Sequence, residues 1–234
     1  MENTNYNRQV PSIGGSFSRG WQIIFGKQFL PLLLTVIILG LLHGPTYSMK
    51  FDGNDFGGPF LFLFPLALFG LAYGFLFVPV LKYGENLVFL KAIREEEVDL
   101  RILFEGFRTK YLNIILSNLI VAALIMLGLI MLVIPGIIVG VRLVFVPFLV
   151  MDKNMEPMKA VEKSWQMTHG HGWEIFGMAI LSFFIAIGGL IVFFVGVIIS
   201  MMWIHSAFAA FYQSVLNEKY DDDNPIPILG VNEV

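Results

Sequence analysis

Between Ile114 and Val150 the chain reads IILSNLIVAALIMLGLIMLVIPGIIVGVRLVFVPFLV, 37 residues whose single charge is Arg142. A helix crosses the hydrocarbon core of a bilayer with about 20 apolar residues, so this run is too long for one crossing and suits two. Proline and glycine end helices and allow the chain to reverse, which places the turn of this pair at Ile134-Pro135-Gly136. The spans are then Ile114 to Val133 and Ile137 to Val150.

The same pattern extends in both directions. Apolar runs at Phe29 to Leu42 and Phe60 to Leu81 precede this pair. The stretch from Ile175 to Val215 follows it and divides near Gly188-Gly189, two consecutive helix-weakening residues, into Ile175 to Ile187 and Leu190 to Val215. The reading is therefore an all-α polytopic membrane protein with six transmembrane helices in three hairpins. Composition agrees: 56% of the 234 residues are hydrophobic and only 14% are charged, which exceeds the needs of a globular core. The first run is the shortest of the early ones and ends at His43. No small-x-small cleavage site follows it, so it is expected to be a retained span, with a cleaved signal peptide as the alternative.

Positive residues mark cytoplasmic loops. Of the fifteen Lys and Arg residues, all but Lys50 and Arg142 fall where both termini and two loops share one side. Arg8, Arg19 and Lys27 precede the first span, Lys82 to Lys110 separate the second and third, Lys153 to Lys163 separate the fourth and fifth, and Lys219 follows the sixth. The expected topology is multi-pass with N- and C-termini cytoplasmic and Pro45 to Gly58 as the one sizeable outside loop. Residues 1–12 and 220–234 read as disordered tails, the latter acidic at Asp221 to Asp223, around a transmembrane domain of residues 13–219.

A short amphipathic segment precedes each hairpin, giving a loose internal repeat of about 70 to 85 residues. The first sets Phe17, Trp21, Ile24 and Phe25 opposite Arg19. The second sets Leu103, Phe104, Phe107 and Tyr111 among Asp99, Arg101, Glu105 and Arg108. In the third, Met158, Val161 and Trp165 form one face and Lys159, Glu162 and Lys163 the other, with Pro157 in the first turn. Such helices are expected to lie flat at the headgroups. Phe77-Val78-Pro79 is echoed by Phe145-Val146-Pro147.

Arg142 is the sharpest candidate for function, because a charge near mid-membrane costs roughly 2.5 to 3.5 kcal/mol on insertion scales. No Asp or Glu falls inside the spans as drawn, so its partners are carbonyls, polar side chains, water, a lipid phosphate or an anionic ligand. Two readings stand: a cationic site for a phosphate or carboxylate, or an arginine that snorkels or bonds to Asn113, Ser117 or Asn118. The missing carboxylates argue against a cation pump. His205, in the sixth span, is either a helix-packing residue or a ligand contact. Arg142, Asn113, Asn118 and His205 are thus the candidate anion or lipid contacts. Glu85, Asn86 and Glu174 are expected at the cytoplasmic mouth as surface caps. Gly70-x-x-x-Gly74 and Gly136-x-x-x-Gly140 suit close helix approach.

His169-Gly170-His171 lacks a third ligand of plausible spacing, and cysteine is absent, so no metal or cofactor is expected. No nucleophile elbow, phosphate loop or H-E-x-x-H motif is present, and the chain is read as not an enzyme. A net charge of −3 without a basic stripe gives no support for nucleic-acid binding. Membrane lipids and other membrane proteins are the expected partners.

From about Gly84 onward the chain resembles a bacterial integral-membrane family described only as a domain of unknown function. The likeness rests on Leu103-Phe104-Glu105-Gly106-Phe107, Ile134-Pro135-Gly136-Ile137, Ala160-Val161-Glu162-Lys163-Ser164-Trp165, His169-Gly170-His171-Gly172-Trp173 with Phe176, and Phe211-Tyr212. It is also similar to the membrane domain attached to some glycerophosphodiester phosphodiesterases, which share the Pro-Gly turn and the alanine-to-serine amphipathic helix before span five. The resemblance implies a polytopic inner-membrane protein and no defined reaction, since a soluble phosphodiesterase domain is not seen here.

Overall fold

A computed structural model describes residues 10–43 and 68–223. Among the described residues every regular element is helical. Helices α1 (Ile13–Ile24) and α2 (Phe29–His43) come first. The chain resumes in a helix that passes through a π turn at Tyr73–Phe77 into α3 (Val78–Ile93). A 3₁₀ segment, Leu100–Phe104, leads to the short α4 (Glu105–Thr109) and then α5 (Tyr111–Met131). After these come α6 (Val133–Arg142), α7 (Val146–Asp152), α8 (Pro157–Met167), α9 (Gly172–Ile191) and α10 (Phe193–Asp223).

Among the described residues four stretches are long and apolar enough to cross a membrane: Tyr111–Met131, Val133–Asp152, Gly172–Ile191 and Val195–Lys219. The pair α1 and α2, bent by 99°, makes a fifth if taken as one span. The first eight residues of the expected second span, Phe60 to Leu81, and the outside loop Pro45 to Gly58 lie outside the described residues.

Side-chain distribution has the inversion that lipid imposes. Met131, Ile130, Leu190 and Ile191 on α5 and α9 are exposed, whereas α3, α7 and the second half of α10 carry the buried core: Val88, Phe89, Leu90, Val146, Leu149, Phe211 and Tyr212. Apolar surface is not driven inward where the solvent is itself apolar, so the long spans keep their Leu and Ile outside.

Three boundaries move from their sequence positions. The chain reverses at Leu132, whose extended backbone (φ −170°, ψ 157°) separates α5 from α6, and not at Ile134-Pro135-Gly136. Pro135 sits in the first turn of α6, where the missing N–H has no helical acceptor to lose. Gly136 serves packing: a Cβ on Gly128 would lie 2.8 Å from its Cα. Likewise the break between α9 and α10 is at Val192, while Gly188 and Gly189 stay helical. A Cβ on Gly189 would come 2.6 Å from the Gly196 carbonyl oxygen, so the glycine permits contact rather than a turn. The last helix also continues to Asp223, past the Lys219 boundary expected for the domain.

A further correction concerns residues 82–93, expected as loop. They are the body of α3, and twelve of its sixteen residues are buried, Glu85 included. The amphipathic α8 packs on the rest of the protein by its small side chains. It docks through Ala160, Ser164 and Met167, leaving Met158 and Trp165 exposed. Small residues let helices approach closely, which decides packing when burial of apolar area does not.

Candidate functional site

Arg142 closes α6, and the helix breaks immediately after it. Val146 N–H donates to the Leu143 carbonyl, three residues back, so the Arg142 carbonyl loses its regular acceptor role. Hydroxyls from α8 take its place: Ser164 Oγ donates at 2.7 Å and Thr168 Oγ1 at 3.3 Å. The guanidinium returns the contact, with Nη1 donating to the Thr168 carbonyl at 2.6 Å, where α8 ends. A cation at a helix C-terminus is favoured by the unsatisfied carbonyls there. The same group lies over the Trp165 ring, 5.8 Å from its centroid. Carbonyl and ring are therefore the protein partners of Arg142. No hydrogen bond joins it to Asn113, Ser117 or Asn118, and Ser117 Oγ is buried with no partner.

The bond to Thr168 uses one of five guanidinium N–H groups. Among the described residues no second hydrogen bond to the guanidinium is found. The neighbouring Val141 and Val144 line an apolar groove of about 570 Å3 between α6, α9 and α10. Facing them across it are Ile175, Phe176, Ala179 and Phe183 of α9, with Phe208 of α10.

His205 belongs to a different contact. Its Nδ1 is 3.1 Å from Glu85 Oε1, and its ring packs against Phe89, 5.4 Å between centroids. Glu85 is thus no surface cap but a buried partner that joins α3 to α10. Glu174 stays apart from it, at the start of α9, with Oε2 buried and unpaired. His171 Nε2 is 3.3 Å from Glu218, and Gly170 turns with φ 95° between α8 and α9. Among the described residues no group of three or more His, Asp or Glu is placed to hold a metal.

The strongest polar cluster was not anticipated from sequence. Arg94, just past α3, grips Asp152 at the end of α7 with two hydrogen bonds, 2.5 and 2.9 Å. Its Nε donates to Gln213 at 2.7 Å, and Tyr212 OH donates to Asp152 at 3.3 Å. Burial opposes the Arg94 charge, but the hydrogen bonds and charge of Asp152 outweigh it and push the guanidinium pKa up. Three distant segments are clasped at one point. The usable signal was positional: Arg94 and Asp152 each end a helix that starts with Val-Pro.

Fold and composition define a helical protein whose long apolar helices are those of an integral membrane protein. No family model, curated protein or solved structure matches the chain.

Proposed function

We propose that this is a non-catalytic, multi-pass protein of the bacterial inner membrane that assists transport or envelope-lipid handling by holding an anionic lipid at Arg142. The observation that carries the reading is the guanidinium itself. It sits near the middle of the broken span Val133–Asp152, fixed through one N–H, with its other donors left to a ligand. A phosphate ester offers several acceptors to such a fork.

Six crossings in three hairpins, with both termini cytoplasmic, complete the proposal. Contacts that repeat in a cycle support it. The amphipathic α1 packs on α10, the segment Leu100–Thr109 on α3, and α8 on α7. Each opening helix also touches the closing helix of the preceding unit: α2 meets α10, α5 meets α3, and α9 meets α6. The resemblance to the membrane family of unknown function is part of the same proposal.

A small transporter for an anionic or amphipathic solute is the alternative, and it would need a path where α3, α7 and α10 meet. Phe89, Phe145, Phe211 and Tyr212 are fully buried in these segments, which weighs against that path. The test of the leading reading is native mass spectrometry from nanodiscs. Retained anionic lipid in the wild type and its loss in Arg142→Leu are expected; equal retention in both would end the proposal.

A further inference from the structure

The apolar groove beside Arg142 identifies how such a lipid would be held. We infer that one acyl chain of an anionic phospholipid lies in the groove between α6, α9 and α10 while its phosphate meets the free edge of Arg142. This rests on the reading of Arg142 above and adds the chain-binding half of the site.

Lining and location argue for this occupant. Every residue that lines the groove is apolar or glycine, so it offers no hydrogen bond to a sugar, peptide backbone or ion. Its volume of about 570 Å3 falls within the range of roughly 300–1,000 Å3 that encloses small ligands. It is set between helices long and apolar enough to cross a membrane, where hydrocarbon is the surrounding medium. From Ile175 to Phe184 it runs along ten residues of α9, about 13.5 Å over nine steps of 1.5 Å. That is an elongated slot suited to a chain.

Charge complementarity selects the headgroup. Val141 and Val144 line the groove on either side of Arg142 in sequence. The guanidinium is bonded to Thr168, which leads through the Gly170 turn into Gly172, the first residue of α9. The cation is thus held beside the turn from which the groove's α9 wall begins. Glu174, in the first turn of α9 and outside the groove lining, has a buried Oε2 with no hydrogen-bond partner, so it does not neutralise Arg142 by direct pairing. A neutral lipid would use the groove alone, and a free phosphate would use Arg142 alone. An anionic phospholipid uses both.

Gly140 gives a clean perturbation, since it lines the groove and a Cβ there meets nothing within 4 Å. Gly140→Phe places a ring at the groove from a Cβ position that is open, and Gly188→Phe places the same ring at an open glycine of α9 outside the groove lining. The experiment places wild type, Gly188→Phe, Gly140→Phe and Arg142→Gln in phosphatidylcholine nanodiscs doped with phosphatidylglycerol, and counts retained phosphatidylglycerol by native mass spectrometry. Thermal unfolding of each variant verifies folding, and glycerol 3-phosphate is added as a chain-free competitor. Gly140→Phe and Arg142→Gln should each reduce retention about tenfold, equivalent to about 1.4 kcal/mol, with Gly188→Phe unchanged and the competitor without effect. Loss in Arg142→Gln but not in Gly140→Phe overturns the groove assignment and leaves the anionic reading of Arg142 standing. Loss in Gly140→Phe alone overturns the anionic assignment, and no loss in either removes both. Displacement by glycerol 3-phosphate would make the ligand a soluble phosphate and overturn the inference.

Discussion

Asp152→Asn keeps the shape of the side chain and removes the charge that Arg94 holds. In the native structure that carboxylate accepts two hydrogen bonds from Arg94 and one from Tyr212, and its side chain is only 8% exposed. Removing one partner of a buried pair costs about 3–5 kcal/mol, because the other charge is left without compensation. Two features reduce the figure here. The Arg94 side chain is 22% exposed and gains some water, and asparagine still presents one acceptor oxygen. The expected loss is therefore about 2–3 kcal/mol, or about 4–12 °C in Tm for a chain of this size, at roughly 2–4 °C per kcal/mol. Thermal unfolding in a fixed detergent, followed by tryptophan fluorescence, measures the shift; where unfolding is irreversible, the half-life at one temperature takes its place. Arg94→Met combined with Asp152→Leu removes both charges and should recover part of the loss, since the cost lies in the orphaned charge. A shift under about 1 °C for Asp152→Asn, or a double variant as unstable as the sum of the single ones, would refute the clasp as a source of stability.

Gly189→Leu should destabilise by about 1–3 kcal/mol through overpacking, while Gly188→Ala, at a position open within 4 Å, should be neutral or slightly stabilising; the same melting measurement compares them. A reporter fused after Thr46 should be active only in its periplasmic form, and a cytoplasmic signal there would remove the first crossing and with it the even number of spans.

Helix existence was legible because lipid demands long apolar runs: Tyr111–Met131 and Gly172–Ile191 follow the expected spans closely. Turn positions were less so, because proline and glycine each have two meanings. Pro135 can begin a helix as readily as end one, and Gly136 and Gly189 can be contact surfaces as readily as breaks. The amphipathic wheel of α8 identified a helix but not its docked side, since the side facing the protein is the one with small residues. At the candidate site, sequence placed Arg142 within a span but not its partner. Thr168 lies 26 residues away and offers a backbone carbonyl, which every residue possesses and no motif advertises. The same holds for Glu85 and His205, whose pairing follows from α3 packing on α10. Helical periodicity describes one element at a time, so it could not show that a carboxylate beyond the apolar run was buried by a neighbour.

The repeated Phe-Val-Pro sequences show why the clasp forms where it does. Pro79 and Pro147 both lie in the first turn of a new helix, and both follow an irregularity in an apolar segment. Before Pro79, Val78 N–H reaches back five residues to the Tyr73 carbonyl in a π turn. Before Pro147, Val146 N–H reaches only three residues to Leu143. In each case the hydrogen-bond ladder is already out of register when it meets the residue that cannot donate, so the proline adds little further cost. The altered registers redirect α3 and α7 so that they pack against each other and are buried nearly all round. Apolar helices of this kind have no intrinsic rotational preference, since any face suits the core. A directional contact at their ends supplies one: the planar fork of Arg94 donates to Asp152 in few orientations. The third helix, α10, lacks the Phe-Val-Pro break and contributes Tyr212 and Gln213 from an unbroken run. The break between α6 and α7 has a second consequence, because it frees the Arg142 carbonyl for Ser164 and Thr168 and so brings α8 to the guanidinium. One interruption in the stretch Val133–Asp152 thereby sets both the clasp and the geometry of the candidate lipid site.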